Sequence, residues 1–317
     1  MGVLRDGQWV QASYGQDEAG RFQRDASRFR DWVAPGGRFV PEAGRYHLYV
    51  SLACPWAHRV LIARRLKGLE PIISVSVVHP VMLDNGWELR SDFPSATGDP
   101  ILGADYLYQV YTAAEPQANG RVTVPALWDC REGTLVNNES RDLLRMLDHA
   151  FEAVAGTEVD LAPLDRLEEV DATIDALYQP INNGVYRCGF AGNQQAYEEA
   201  VEALYAALDH YEGVLGRQRY LCGDWLTEAD ICLYTTLIRF DAVYAVHFKC
   251  SRRPIRAYPS LMGYLRELYQ MPAFRETTDF EHIRHHYYRS HPALNPSGIV
   301  ACMPQLDLDA DQGRDAC

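Results

Sequence analysis

Over its first 44 residues the chain scatters aromatics (Trp9, Phe22, Phe29, Trp32, Phe39) among Gly, Arg and Asp with neither a two-residue nor a helical period, and it closes on Ala34-Pro35-Gly36-Gly37. An extended N-terminal arm is expected there. The first periodic block follows. Tyr46-His47-Leu48-Tyr49-Val50 predicts a strand at about 46–51, residues 55–67 a helix, and Ile72-Ile73-Ser74-Val75-Ser76-Val77-Val78 a buried second strand. Strand, helix, strand is the pattern of a parallel βαβ unit. Residues 79–120 are polar, turn-rich and too long for an ordinary connection, so a local element or a function is expected within them. Val122 to Asp129 then predicts a strand interrupted by Pro125, Thr134 to Asn137 a second, and Glu139-Ser140 the opening of a helix to about Ala150.

After a loop near 151–163 the pattern turns helical. Leu167, Val170, Ile174, Leu177 and Ile181 recur at gaps of three and four, as do Tyr197, Val201, Leu204, Leu208, Tyr211 and Leu215, which predicts two amphipathic helices. Thr227-Glu228-Ala229-Asp230 is a capping box with Asp in place of the usual Glu or Gln, and Leu226 and Ile231 are spaced as its hydrophobic staple. The helix it starts, to about Val243, is apolar on nearly every face and is expected at the centre of a bundle. Pro259 opens a last helix to about Met271, and Asp307 to Cys317 reads as a solvated acidic tail. The expected fold is an α/β thioredoxin-like N-terminal domain (45–152) plus an all-α C-terminal domain (163–290), with the arm at 1–44 and an extension and acidic tail at 291–317.

Composition narrows the function classes. A chain of 317 residues, 47% hydrophobic, can bury two cores. Its net charge of -13, with no Lys/Arg cluster interleaved with aromatics, argues against a nucleic-acid partner. The start, Met1 to Asp6, lacks a basic-then-apolar leader, and no apolar run approaches the roughly 20 residues of a membrane span. A cytoplasmic protein with no membrane partner is expected. The eight cysteines are irregularly spaced without a CxxC pair, so neither a disulfide scaffold nor a zinc ribbon is indicated.

Candidate chemistry concentrates at Cys54-Pro55-Trp56-Ala57-His58-Arg59, where strand gives way to helix. Unpaired N–H groups and the positive end of the helix dipole stabilise a thiolate there. Pro55 suits the first helical turn. Ala57 stands where a dithiol site would carry its second cysteine, so a mixed disulfide on Cys54 must be resolved by an external thiol such as glutathione. Val124-Pro125 inside a strand is either an edge-strand proline or a cis bond, and a cis bond would turn the Val124 N–H and C=O outward to pair with a peptide-like ligand. Glu139-Ser140 at a helix start is either a plain N-cap or a holder of a γ-glutamyl carboxylate and ammonium.

Cys54-Pro-Trp-Ala-His-Arg59, Val77-Val78-His79-Pro80, Gly86-Trp87, Gly120-Arg-Val-Thr-Val-Pro125, Asn138-Glu-Ser140, Ile181-Asn-Asn-Gly-Val-Tyr186, His247-Phe-Lys-Cys250 and His285-His-Tyr-Tyr-Arg-Ser-His291 together resemble the glutathionyl-hydroquinone reductases, the Xi class of the glutathione S-transferases. The resemblance spans about residues 40–300. It implies an oxidoreductase that uses glutathione as co-substrate and reduces glutathionyl-hydroquinones through a Cys54–glutathione disulfide. It also implies glutathione contacts from Trp87, Arg121, Val122, Thr123, Val124, Pro125, Glu139 and Ser140, Tyr186 as proton donor and acceptor, Tyr244 and Tyr287 facing thiol and aromatic substrate, and a homodimer. Tyr288, beside Tyr287, is the alternative for that last position. His282, His285, His286 and His291 are expected to be solvated or hydrogen-bonded, with no metal. The same monothiol would serve an Omega-like thiol transferase or dehydroascorbate reductase, and a non-enzymatic binding protein on this fold would tolerate loss of Cys54.

Overall fold

The run at 46–50 forms an interior strand of a four-stranded sheet in the computed structural model, which describes residues 2–314. Two antiparallel ribbons precede it, β1 (Gly2–Arg5) with β2 (Gln8–Gln11) and β3 (Gly15–Gln16) with β4 (Phe22–Gln23). The sheet takes β5 (Tyr46–Val50), β6 (Ile73–Val77), β7 (Ala126–Asp129) and β8 (Thr134–Asn137) in the order β6-β5-β7-β8. β5 runs parallel to β6 and antiparallel to β7, and β7 antiparallel to β8, which is the thioredoxin-like arrangement. The helices are α1 (Pro55–Leu66), α2 (Leu107–Ala114), α3 (Ser140–Arg145), α4 (Leu167–Leu177), α5 (Gly184–Gly189), α6 (Gln194–Leu215), α7 (Glu228–Arg239), α8 (Ala245–His247), α9 (Pro259–Gln270), α10 (Pro272–Arg275) and α11 (Phe280–Arg289). π turns at Met146–Ala150, Tyr178–Asn182 and Phe240–Tyr244 extend α3, α4 and α7. Among the described residues no helix is long and apolar enough to cross a membrane.

The chain divides into two compact units. The first gathers residues 2–13, 25–159 and 277–292, and the second residues 14–24, 160–276 and 293–314. The helices expected at 163–290 therefore lose α11, which groups with the sheet, and the arm expected at 1–44 is divided, residues 14–24 grouping with the helices.

In the first unit β5 is buried at every residue, and α1 packs against α3. The expected buried strand at 72–78 is instead an edge strand, β6, with Ser74 exposed, because only β5 pairs with it. The strand expected from Val122 begins at Ala126, since Pro125 offers no ladder donor. The arm is not merely extended. Asp6 and Gly7 adopt positive φ (46° and 76°) and close the β1–β2 hairpin, whose strands also meet Gly120 through Leu4. Further along, Phe29 and Asp31 donate or accept main-chain bonds with residues 136–138, so the arm lines the free edge of β8. The long segment at 79–120 carries the local element α2.

In the second unit every residue of α7 is buried, as its all-round apolar pattern predicts. The capping box forms: the Thr227 N–H and hydroxyl both reach the Asp230 carboxylate, at 2.8 and 3.0 Å. Asn182, last residue of its π turn, donates to the Cys232 carbonyl and the Thr236 hydroxyl of α7, both at 2.9 Å, and so fixes where α5 begins. Gly189 admits the Phe248 ring, which would lie 2.2 Å from a Cβ there. The reading of Asp307 onward as a solvated tail is corrected over its described part, up to Arg314. Arg314 is buried and donates to the Glu267 carboxylate at 2.9 Å, the Leu215 carbonyl at 3.1 Å and the Ser260 carbonyl at 3.3 Å, while Gln270 of α9 binds the Leu308 and Ala310 carbonyls. One guanidinium filling several buried acceptors outweighs the acidic average around it. Cys317 lies outside the described residues; the other seven cysteines are free thiols.

Candidate active site

Cys54 is the N-cap of α1, with extended backbone (φ -76°, ψ 122°) and Pro55 following as the first helical residue. Its own N–H is satisfied by the Ser51 carbonyl at 3.1 Å, and its carbonyl accepts from His58 at 3.0 Å, so the turn is rigidly tied. The thiol is partly exposed and donates to the Val124 carbonyl at 3.5 Å. The Val124–Pro125 peptide is cis. Ala57 is fully buried under the turn, and no cysteine stands there.

A buried hub ties Thr123 to Asn138, the residue before Glu139. Tyr111 of α2 donates to the Thr123 carbonyl at 2.7 Å, accepts from the Thr123 N–H at 3.2 Å, and accepts from the Asn138 amide at 3.1 Å. Asn138 also reaches the Thr123 hydroxyl at 3.1 Å. The phenol thus locks the 121–125 segment to the turn that leads into Glu139 and Ser140. Burial pushes its pKa up, which keeps it a neutral donor. Glu139 is the N-cap of α3: its carboxylate accepts from the Arg141 N–H at 3.2 Å and from the Ser27 hydroxyl at 2.9 Å. Ser140 is buried, with its hydroxyl 3.5 Å from the same carboxylate. Tyr111→Phe removes three buried hydrogen bonds while preserving the ring, and we expect a loss of about 1–3 kcal/mol. The expected readouts are a melting temperature lower by several degrees and a raised KM for glutathione; a variant unchanged in both would show that the hub holds nothing in place.

Arg121 is engaged by the arm. Nε pairs with the Asp25 carboxylate at 3.2 Å, Nη1 reaches the Gly2 and Ala12 carbonyls at 3.4 and 3.5 Å, and Nη2 donates to the Ser13 carbonyl. Val122 and Val124 are buried, and Thr123 is held by Tyr111 as described.

Trp87 is buried and stacks on His286 of α11, with centroids 4.9 Å apart and planes 21° from parallel. His286 Nδ1 donates to the Pro80 carbonyl at 2.8 Å, and the Met82 N–H reaches Ser290 at 2.9 Å, so α11 clamps the 79–87 loop. His282 Nε2 donates to the Pro94 carbonyl at 2.6 Å, and His291 Nδ1 lies 3.2 Å from the Tyr287 carbonyl. His282 and His286 are loop anchors, whereas His291 binds back to its own helix, roles that the one-dimensional cluster disguised. Tyr287 is buried on the same helix, with its ring against His286 and His291; Tyr288 is buried too, and its phenol is pushed up by burial.

The second unit brings Tyr186 and Tyr244 together, with ring centroids 6.1 Å apart. Tyr244 is the last residue of one π turn, and Tyr186 stands four residues after the end of another, on α5. Phe248 stacks on Tyr244 at 5.5 Å and lies 5.3 Å from Tyr186. From the arm, Phe22 approaches the Tyr186 ring at 6.4 Å and Arg24 covers it, with Cζ 4.8 Å from its centroid.

Comparison with known proteins agrees with this architecture. The N-terminal domain model of the glutathione S-transferases matches residues 53–150 and the C-terminal domain model residues 194–267. The chain is 51% identical to the glutathionyl-hydroquinone reductase YqjG of Escherichia coli K12, over 99% of both chains. The solved Xi-class transferase from Natrialba magadii superposes with a TM-score of 0.94 at 50% identity, covering 99% of this chain and 97% of that one. The glutathione-bound structure of Escherichia coli YqjG superposes at 0.92 with 49% identity over 99% of each. With a single-thiol turn at Cys54, a thioredoxin-like sheet and a helical second domain already in place, a match over the whole length settles the family: the chain belongs to the glutathionyl-hydroquinone reductases, the Xi class of the glutathione S-transferases.

Proposed function

We propose that the chain reduces glutathionyl-hydroquinones to hydroquinones with glutathione as reductant and Cys54 as nucleophile. The observation that carries this reading is the lone thiol at the N-cap of α1 beside the Val124 carbonyl, with Ala57 in place of a resolving cysteine. The glutathionyl part of the substrate lies along Val122–Pro125 with its cysteinyl backbone paired to Val124, its γ-glutamyl end at Glu139 and Ser140, and Trp87 along its side. Arg121 reaches the glycyl carboxylate by exchanging the exposed Asp25 for it, an exchange of like charges that costs little.

Tyr186 protonates the ring carbon bearing sulfur as a ring hydroxyl loses its proton, giving the keto tautomer. The Cys54 thiolate then attacks the glutathione sulfur. The Sγ–S bond forms, the carbon–sulfur bond breaks, and its electron pair leaves into the ring as an enolate that takes a proton and is hydroquinone. An aryl anion would be a far poorer leaving group, and general acid help of this kind is worth about 10²–10⁴-fold. A second glutathione, as thiolate, attacks the Cys54 disulfide, releasing oxidised glutathione and the original thiolate. Tyr244 and Tyr287 orient the ring hydroxyls as neutral phenols. The reading includes a cytoplasmic homodimer and no metal step.

Anaerobic turnover tests it. One hydroquinone and one oxidised glutathione are expected per glutathionyl-hydroquinone consumed, with ping-pong kinetics. No hydroquinone release, together with brisk reduction of a small glutathione mixed disulfide, would move the chain to the thiol-transferase reading.

A further inference from the structure

We infer that Arg24 of the N-terminal arm is a positioning residue for the Tyr186 phenol, its guanidinium lying on the ring face to steady the phenolate formed when that phenol gives up its proton. The inference rests on the proposed role of Tyr186 as acid and adds the residue that makes it one.

Three observations place Arg24. Its Nε donates to Asn183 Oδ1 at 2.9 Å, so the motif that carries Tyr186 also grips the arginine three residues ahead of it. Its Cζ stands 4.8 Å from the Tyr186 centroid and 5.3 Å from that of Phe22. Tyr186 is 9% exposed. Among its ring neighbours within this unit are Phe22, Phe190, Phe248 and the titratable Tyr244, which is fully buried. The adjacent Arg187 acts on Glu199. Arg24 itself is exposed, so water screens its charge in part, but the ring beneath it is buried, and a guanidinium held on that face favours a negative ring over a neutral one. A planar guanidinium suits this place: it can stack on a ring and hydrogen-bond in its own plane at once, as a lysine ammonium cannot. The arm, which lies outside the motifs that carry the family resemblance, thereby contributes to the acid step.

The experiment compares full-length wild type, Arg24→Met, Arg24→Lys, Tyr186→Phe and the Arg24→Met/Tyr186→Phe double variant in single-turnover release of hydroquinone and in the KM for glutathione. Arg24→Met is expected to slow release about 3- to 30-fold with the glutathione KM within about twofold, and Arg24→Lys to recover part of the rate. In the Tyr186→Phe background the Arg24→Met change is expected to cost nothing more. An equal Arg24→Met loss with and without the Tyr186 hydroxyl overturns the inference, as does a loss confined to KM. Normal release by Arg24→Met beside a slow Tyr186→Phe overturns the inference alone, whereas a Tyr186→Phe enzyme of undiminished rate overturns the acid role and this inference with it.

Discussion

Cys54→Ser is expected to abolish hydroquinone release, by at least about 10⁴-fold, while leaving glutathione bound and the fold intact. The chemical reason is that a serine hydroxyl is not ionised at neutral pH and cannot enter a disulfide, so neither half-reaction has its covalent intermediate. The structural reason concerns the cap. Cys54 occupies the N-cap of α1 without a side-chain cap hydrogen bond, and serine is a preferred N-cap residue whose oxygen can accept from the first turn. The variant should therefore melt at or slightly above the wild-type temperature, which separates lost chemistry from lost structure. Intact-mass measurement after one exposure to glutathionyl-hydroquinone is expected to show a glutathione adduct on wild type and none on Cys54→Ser. Residual steady turnover above about one part in 10³ would mean that Cys54 is not the nucleophile.

What could be read from the chain beforehand follows how local each signal is. The Cys54 turn, the cis bond at Val124–Pro125 and the Thr227–Asp230 box are written in residues next to one another, and each stands in the structure. The β1–β2 hairpin was equally local: Asp6-Gly7 between Val3-Leu4 and Trp9-Val10 is a strong short-range hairpin signal, obscured by the lack of period in the surrounding arm. The rest needed partners far along the chain. Tyr111 is one of nineteen tyrosines, and nothing near it in sequence hints that Thr123 and Asn138 converge on its hydroxyl. Helix α11 looked like a run of histidines because its burial against the 79–94 loop, through Pro80 and Pro94, is invisible in one dimension. Its start at Asp279, whose carboxylate caps the His282 N–H at 2.9 Å, was a readable signal. The described part of the tail was misread for the opposite reason: charge averaging hid the single arginine, Arg314, that anchors it.

Asp230→Ala is expected to be the most destabilising single change in the helical unit. The carboxylate is fully buried and accepts from the Leu221 N–H at 2.9 Å, the Thr227 N–H at 2.8 Å, the Thr227 hydroxyl at 3.0 Å and the Tyr264 hydroxyl at 2.9 Å. Removing it strands buried donors on a loop, a helix start and α9 together, at about 3–5 kcal/mol. For a chain of this size that corresponds to a fall of roughly 10 °C or more in melting temperature. Burial also raises this carboxyl from 3.8 to about 6, the hydrogen bonds opposing the rise without cancelling it. A folded-state value above the unfolded one means the native state binds the proton more tightly. This group's proton-linked stabilisation is therefore complete below about 3.8 and declines as pH rises, to be gone above about 6. Asp230→Asn, which keeps the shape and loses the charge, should cost less than alanine and should erase that decline from the pH dependence of denaturant midpoints between about 4 and 6. An alanine variant as stable as wild type would mean that the box does not hold α7, and an asparagine variant that retains the decline would mean that the titrating group lies elsewhere.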